Sequence, residues 1–127
     1  MTPNSKSKHP VRSALILSTS YVAGTEIGFD RQNYLAVLVE FTKGSLTTME
    51  VKIESSVDGG VTYGQQITET ASGGTVSAAL AEYEIDTTGK YWIVVNPLLA
   101  DSVKISVKGT GTITSSECTV TAITGTV

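Results

Sequence analysis

The sequence predicts an all-β chain, an antiparallel β-sandwich or jelly roll of about eight strands. Three observations point there. Ser and Thr supply 33 of the 127 residues and Val, at 14, leads the aliphatics; β-branched and small polar residues favour strands and turns over helices. Apolar runs are short and alternate with polar residues at a period of two. They recur about every ten residues, separated by turns that carry glycine. No segment shows a sustained 3.6-residue stripe, and no repeat of 20–50 residues is visible.

The first 13 residues stand apart. They hold Lys6, Lys8 and Arg12 and no acid, interrupted by Pro3 and Pro10, so residues 1–13 read as a flexible basic arm of charge +3 before a domain spanning 14–127 of charge −6. Such an arm could order on an acidic neighbouring surface, because opposite charge steers and weakly holds it. Residues 14–21 form the first apolar run. In residues 34–42, Leu35, Val37, Val39 and Phe41 share one face. In residues 48–57, Met49, Val51, Ile53, Ser55 and Val57 point inward while Glu50, Lys52 and Glu54 point to water. Residues 63–72 and 75–80 flank a Gly73-Gly74 hairpin turn. Residues 82–86 follow, with 78–83 the one stretch where a helical turn could sit, then a Thr87-Thr88-Gly89 turn.

Residues 90–95 (KYWIVV) are strongly apolar and read as the centre of the core, with Trp92 and Val94 inward. On that reading Trp92→Ala would cost about 3–5 kcal/mol. Asn96-Pro97 ends the strand. In residues 102–108, Val103, Ile105 and Val107 alternate with Lys104, Ser106 and Lys108. Gly109-Thr110-Gly111 reads as a turn, and residues 117–124 close the chain.

Composition removes several functional classes. One cysteine, Cys118, excludes an internal disulfide and a Cys-based zinc site; one histidine, His9, excludes a multi-histidine centre. Two arginines, a net charge of −3 and a pI near 5.0 argue against a nucleic-acid surface. No apolar run is long enough for a membrane span, and no signal-peptide pattern is present. The carboxylate pairs Glu50/Glu54, Glu82/Glu84 and Glu84/Asp86 lie on solvated strand faces without an accompanying base, nucleophile or cofactor loop. Asp58, Asp86 and Asp101 sit in separate turns, unlike a ligand-dense calcium loop. Five tyrosines, at 21, 34, 63, 83 and 91, could stack on sugars only if the fold gathered them. No enzymatic activity, cofactor or metal is expected.

The most specific local signal is Ser56-Val57-Asp58-Gly59-Gly60-Val61-Thr62-Tyr63. With Ser56, Asp58, Gly60, Thr62 and Tyr63 in those places it resembles the Asp-box of sialidases and other propeller proteins. A sialidase needs several such boxes and an arginine cluster, so here the motif reads as a structural hairpin tip. Its carboxylate accepts from the turn's own N–H groups and its tyrosine packs back over the turn.

The longer stretch that contains it, Tyr34-Leu35-Ala36-Val37-Leu38-Val39-Glu40-Phe41-Thr42-Lys43-Gly44 followed by Thr47 to Tyr63, resembles a pattern common in small virion proteins of tailed bacteriophages. It covers about 30 of 127 residues, and departs at Tyr63, where tryptophan is more usual. The resemblance implies a β-sandwich built into a particle. The expected role is a capsid decoration (cement) protein on the capsid exterior, binding the major capsid protein or other virion proteins, and the expected state is a homotrimer. The alternative is a tail, neck or fibre module that binds a carbohydrate or receptor. Lys6, Lys8 and Arg12 in the arm, and Leu98 and Leu99 in the loop after Pro97, are the candidate contacts.

Overall fold

The computed structural model describes residues 6–29, 34–65, 67–80, 82–95 and 100–126. These form an all-β sandwich. One sheet has the order β1-β12-β4-β10, made of Lys6–Ile16, Glu117–Gly125, Tyr34–Thr42 and Gly89–Val95. The other has the order β2-β11-β5-β6, made of Val22–Ala23, Ser102–Gly111, Leu46–Ser56 and Gly64–Gln65. Two short strands add to its margins: β3 (Ile27–Gly28) pairs with β11, and β9 (Glu82–Ile85) pairs with β5. β7 (Ile67–Ser72) and β8 (Thr75–Leu80) make a separate two-stranded sheet. All of these pairings are antiparallel.

The alternation in β4 and β5 sets the core. Leu35, Val37, Val39 and Phe41 of β4 face Met49, Val51 and Ile53 of β5 and Val103, Ile105 and Val107 of β11, all buried in one cluster. A period of two leaves these strands one consistent solution, because a one-residue slip would expose the whole set.

Strand β10 departs from the sequence reading. Its register sets Ile93 opposite Val37 and Val95 opposite Leu35, and both are buried, while Trp92 and Val94 stand 57% and 66% exposed. Both phases of KYWIVV are apolar, so periodicity alone does not choose between them. Pairing with β4 does: the inward row of β4 is filled by Ile93 and Val95, with Tyr91 packed at its margin.

The arm is the second correction. From Lys6 onward the chain is not a free arm but the edge strand β1, in register with β12 from Lys6↔Gly125 to Ile16↔Glu117. Pro10 does not break it, because an edge strand tolerates a residue without an N–H. Register shifts on either side of Arg12 bend it. Val11 is buried, and His9 Nε2 meets Thr124 Oγ1 at 2.9 Å.

Smaller differences follow the same logic. Residues 109–111 continue β11, and the reversal comes at 112–116, where Ser115 takes φ 57°. Residues 78–80 belong to β8 and 82–85 to β9, with no helical turn at those positions. Val57 lies outside β5 and is 73% exposed, whereas Ser56 turns inward.

Candidate functional site

Three places in the fold bear on function: the turn after β5, the basic end of β1, and the outer face of the β10 sheet.

The turn is held by side chains from two loops. Ser56 is buried at the end of β5. Its hydroxyl donates to Asp58 Oδ1 at 2.6 Å and accepts from the N–H groups of Gly60 at 3.0 Å and Asp58 at 3.3 Å. Asp58 Oδ1 also accepts from Thr62 N–H at 2.8 Å. Asp101, at the entry to β11, accepts from Gly59 N–H with both carboxylate oxygens at 3.1 Å, and its own N–H donates to the Ser56 carbonyl. Gly59 and Gly60 take φ 72° and 87°, the left-handed backbone that lets these N–H groups converge. The Ser56 hydroxyl, and then the Thr62 N–H, hold the Asp58 carboxyl below the usual carboxylate range.

Tyr63 folds back as the sequence suggests. Lys104 Nζ sits 4.5 Å from its ring centre, and the hydroxyl is shut off from solvent beside Glu26. Burial, reinforced by the Glu26 carboxylate, pushes the phenol up to about 12. Ser56, Asp58, Gly60 and Thr62 therefore act together through hydrogen bonds within the turn, and Tyr63 packs back over it.

This turn yields a direct test. Ser56→Ala removes the hydroxyl that three partners share and takes the acceptor from the part-buried N–H groups of Asp58 and Gly60, a loss of about 1 kcal/mol in chemical unfolding. Asp58 titrates lower in the folded chain than in the unfolded one. Its contribution is therefore present at neutral pH and lost as pH falls through the folded value. Asp58→Asn should flatten that acid limb of the stability curve.

The calcium reading finds no support in the placement. Asp101 joins Asp58 at this turn but binds backbone N–H, and Asp86 lies elsewhere beside Thr87. Among the described residues no three His, Cys, Asp or Glu side chains are grouped to hold a metal ion.

The carboxylates of β5 are bound into the outer face of their sheet. Glu54 lies 3.6 Å from Lys52 and 3.8 Å from Lys104, and Glu50 accepts from the hydroxyls of Thr48 and Thr110. Tyr21 crosses this face between Lys52 and Lys108, whose Nζ atoms lie 4.5 and 4.7 Å from its ring centre. Burial, with Glu82 adding to it, pushes the Tyr21 phenol up to about 12. Tyr83 and Tyr91 pack against the core and Tyr34 is on the opposite sheet, so the five tyrosines form no common platform.

At the basic end, Lys6 and Lys8 are exposed on β1. Arg12 is not. Its Nε donates to the Cys118 carbonyl at 3.2 Å, and Nη2 donates to the carbonyls of Leu15 and Ile16 at 3.1 and 2.9 Å. Arg12 thus clamps the irregular half of β1. Cys118 is fully buried behind it, and burial pushes its thiol up to about 12 against the pull of Arg12. Leu98 and Leu99 lie outside the described residues.

What the sequence reading missed is the outer face of the β1-β12-β4-β10 sheet. The register aligns Pro10, Thr121, Leu38 and Trp92 in one row and Lys8, Ile123, Ala36 and Val94 in the next. Tyr34 is 39% exposed beyond them. Trp92 and Val94 stand exposed on these adjacent rows and give the β10 margin of the face an apolar character. The signal was present in residues 34–42, where Tyr34, Ala36 and Leu38 make the second face apolar up to Glu40.

No family model matches the chain, and no curated protein is similar to it. Among solved structures, the chain is similar to the SPBc2 prophage-derived protein YomS. The two share 21% identity with a TM-score of 0.61, over 99% of this chain and 97% of that one. The likeness shows a shared fold.

Proposed function

We propose that this chain is a structural component of a phage particle, a capsid decoration protein that binds the major capsid lattice from outside, as a homotrimer. The observation that carries the reading is the end-to-end likeness to a prophage-derived protein. The resemblance of residues 34–63 to tailed-phage virion proteins supports it independently.

The physical features agree with such a role. In the most specific motif Ser56, Asp58 and Thr62 bond within their own turn. The surface offers flat sheet faces, and assembly uses faces and edges rather than a catalytic centre. On this reading the chain is not an enzyme and takes no cofactor. Lys8 lies in the row of Val94 and Lys6 in the row of Tyr34, on the edge strand across β12 and β4 from β10, so one face presents a basic margin at one edge and exposed Trp92 and Val94 at the other. That combination suits an acidic neighbour with an apolar centre.

Co-sedimentation of the purified protein with capsids that lack it tests the reading. The wild-type chain should saturate the particles. Lys6→Glu with Lys8→Glu should weaken binding at low ionic strength, and the difference should shrink at about 1 M salt, where charges are screened beyond ~3 Å. Binding to host glycans with none to capsids would favour the fibre alternative instead.

A further inference from the structure

Asp58-Gly59 is the one Asp-Gly or Asn-Gly step in the chain. Such a step is prone to spontaneous rearrangement. The backbone nitrogen that follows an aspartate can attack that residue's own side-chain carboxyl carbon. A C–N bond forms, the amide proton and the carboxyl's OH leave as water, and a five-membered succinimide results. Water then opens the ring at either carbonyl and returns aspartate or yields isoaspartate. The net change is an isomerisation that needs no other reagent, and a glycine in second place has no Cβ to hinder it.

The turn leaves this step open to solvent. Asp58 and Gly59 are exposed between exposed Val57 and Val61, and there is open space around the Gly59 Cα. Isoaspartate would lengthen the backbone by one methylene and carry the carboxylate away from Ser56 and Thr62.

Both reacting groups are nevertheless held. The nucleophile is Gly59 N, whose N–H donates to the two carboxylate oxygens of Asp101 at 3.1 Å. Attack requires that nitrogen to lose its proton and swing towards the Asp58 side chain. The hydrogen bond opposes the swing, and negative charge beside the N–H opposes the loss. Asp101 is itself fixed, because its own N–H donates to the Ser56 carbonyl at 2.9 Å. The electrophile is the Asp58 carboxyl carbon, reactive as the protonated acid. Its Oδ1 accepts from the Ser56 hydroxyl at 2.6 Å and the Thr62 N–H at 2.8 Å, which fix its torsion. The same partners hold the carboxyl below the usual carboxylate range, so the acid form is scarce at neutral pH.

We infer that Asp101, reaching over from the entry to β11, guards the Asp58–Gly59 step against isomerisation, so that the turn is a modification site silenced by a distant side chain. Gly59 and Asp101 are 42 residues apart, so the guard exists only in the folded chain. The inference concerns the covalent lifetime of the turn and is independent of any particle.

The test is prolonged incubation of the full folded chain at slightly alkaline pH. Isoaspartate at position 58 is read by separating the isomeric peptides after digestion. Wild type should accumulate it about tenfold or more slowly than the same chain held unfolded in urea, because attack requires the turn to open first. Asp101→Ala should raise the native rate about tenfold, the scale on which one bond to a charged group shifts an opening equilibrium. Asp101→Asn keeps an acceptor and loses the charge, so its rate should fall between; should Asp101→Ala fail to fold, Asp101→Asn decides. Leu35→Ala is the stability control: it weakens the core and leaves Asp101 in place, and its native rate should stay near wild type. A wild-type rate equal to that of the unfolded chain, folded Asp101 variants no faster than wild type, or Leu35→Ala as fast as the Asp101 variants would each overturn the inference.

Discussion

Leu35→Ala will destabilise the chain by about 2–5 kcal/mol, and Trp92→Ala, though it deletes far more volume, will cost about 1–2 kcal/mol. Leu35 is fully buried in β4, with Thr124 of β12 and Val95 of β10 opposite it and both buried. Its truncation leaves a cavity walled by two strands that cannot move without breaking their own pairings. Trp92 has 57% of its surface in water, so its removal forfeits contact on one side only. The ordering of the two midpoints in urea checks this. A Trp92→Ala protein as unstable as Leu35→Ala would mean that the indole is inside and the β10 register is off by one residue. Tryptophan fluorescence gives a second reading: the native indole should be quenched readily by iodide.

Gly44→Ala will cost about 2–4 kcal/mol, from left-handed strain of roughly 1–2 kcal/mol plus a backbone clash. Gly44 has φ 56° in the turn between β4 and β5, and an added Cβ would run into the Thr114 carbonyl oxygen and the Ser115 carbonyl. The two loops are tied there on both sides. Ser45 N–H donates to Thr114 O at 3.1 Å, and Ser116 Oγ donates to Lys43 O at 2.7 Å. Neither loop can step back without losing these bonds. Gly28→Ala is the matched control: Gly28 has open space around its Cα and no positive φ, so its alanine variant should lie within about 0.5 kcal/mol of wild type. Equal thermal shifts for the two variants would contradict the packing of residues 43–45 against 112–116.

What the chain disclosed before folding follows from how far each signal depends on neighbours. β5 and β11 each set charged or polar residues on one face against apolar residues on the other, so their inward residues were legible without a partner. The Ser56–Tyr63 turn was legible because its bonds are local; only the cap from Asp101 comes from a distant loop. β10 was not, because Tyr91, Ile93 and Val95 are as apolar as Trp92 and Val94, and only the row of β4 decides between them. β1 was hidden by Pro10 and its clustered charges, which are edge-strand features as much as those of a loose terminus. Arg12 looked like a surface cation, and its three carbonyl partners arise only from the bend in β1. β2 and β3, two residues each, owe their pairing to β11 rather than to their own composition.

The outer face of the β1-β12-β4-β10 sheet was the least legible for a related reason. A strand apolar on both faces reads as deeply buried, and residues 34–42 fit that description. In the folded chain Ala36 and Leu38 on the second face of β4 lie opposite Val94 and Trp92 of β10, and it is those two that stand exposed.

Quantitative mass spectrometry of purified phage particles tests the proposed role most directly. A decoration protein should be present at a copy number comparable to that of the major capsid protein, in a fixed ratio to it, and should be depleted from tails separated from heads. A chain absent from the particles, or present at a few copies per particle and confined to the tail fraction, would contradict the decoration role.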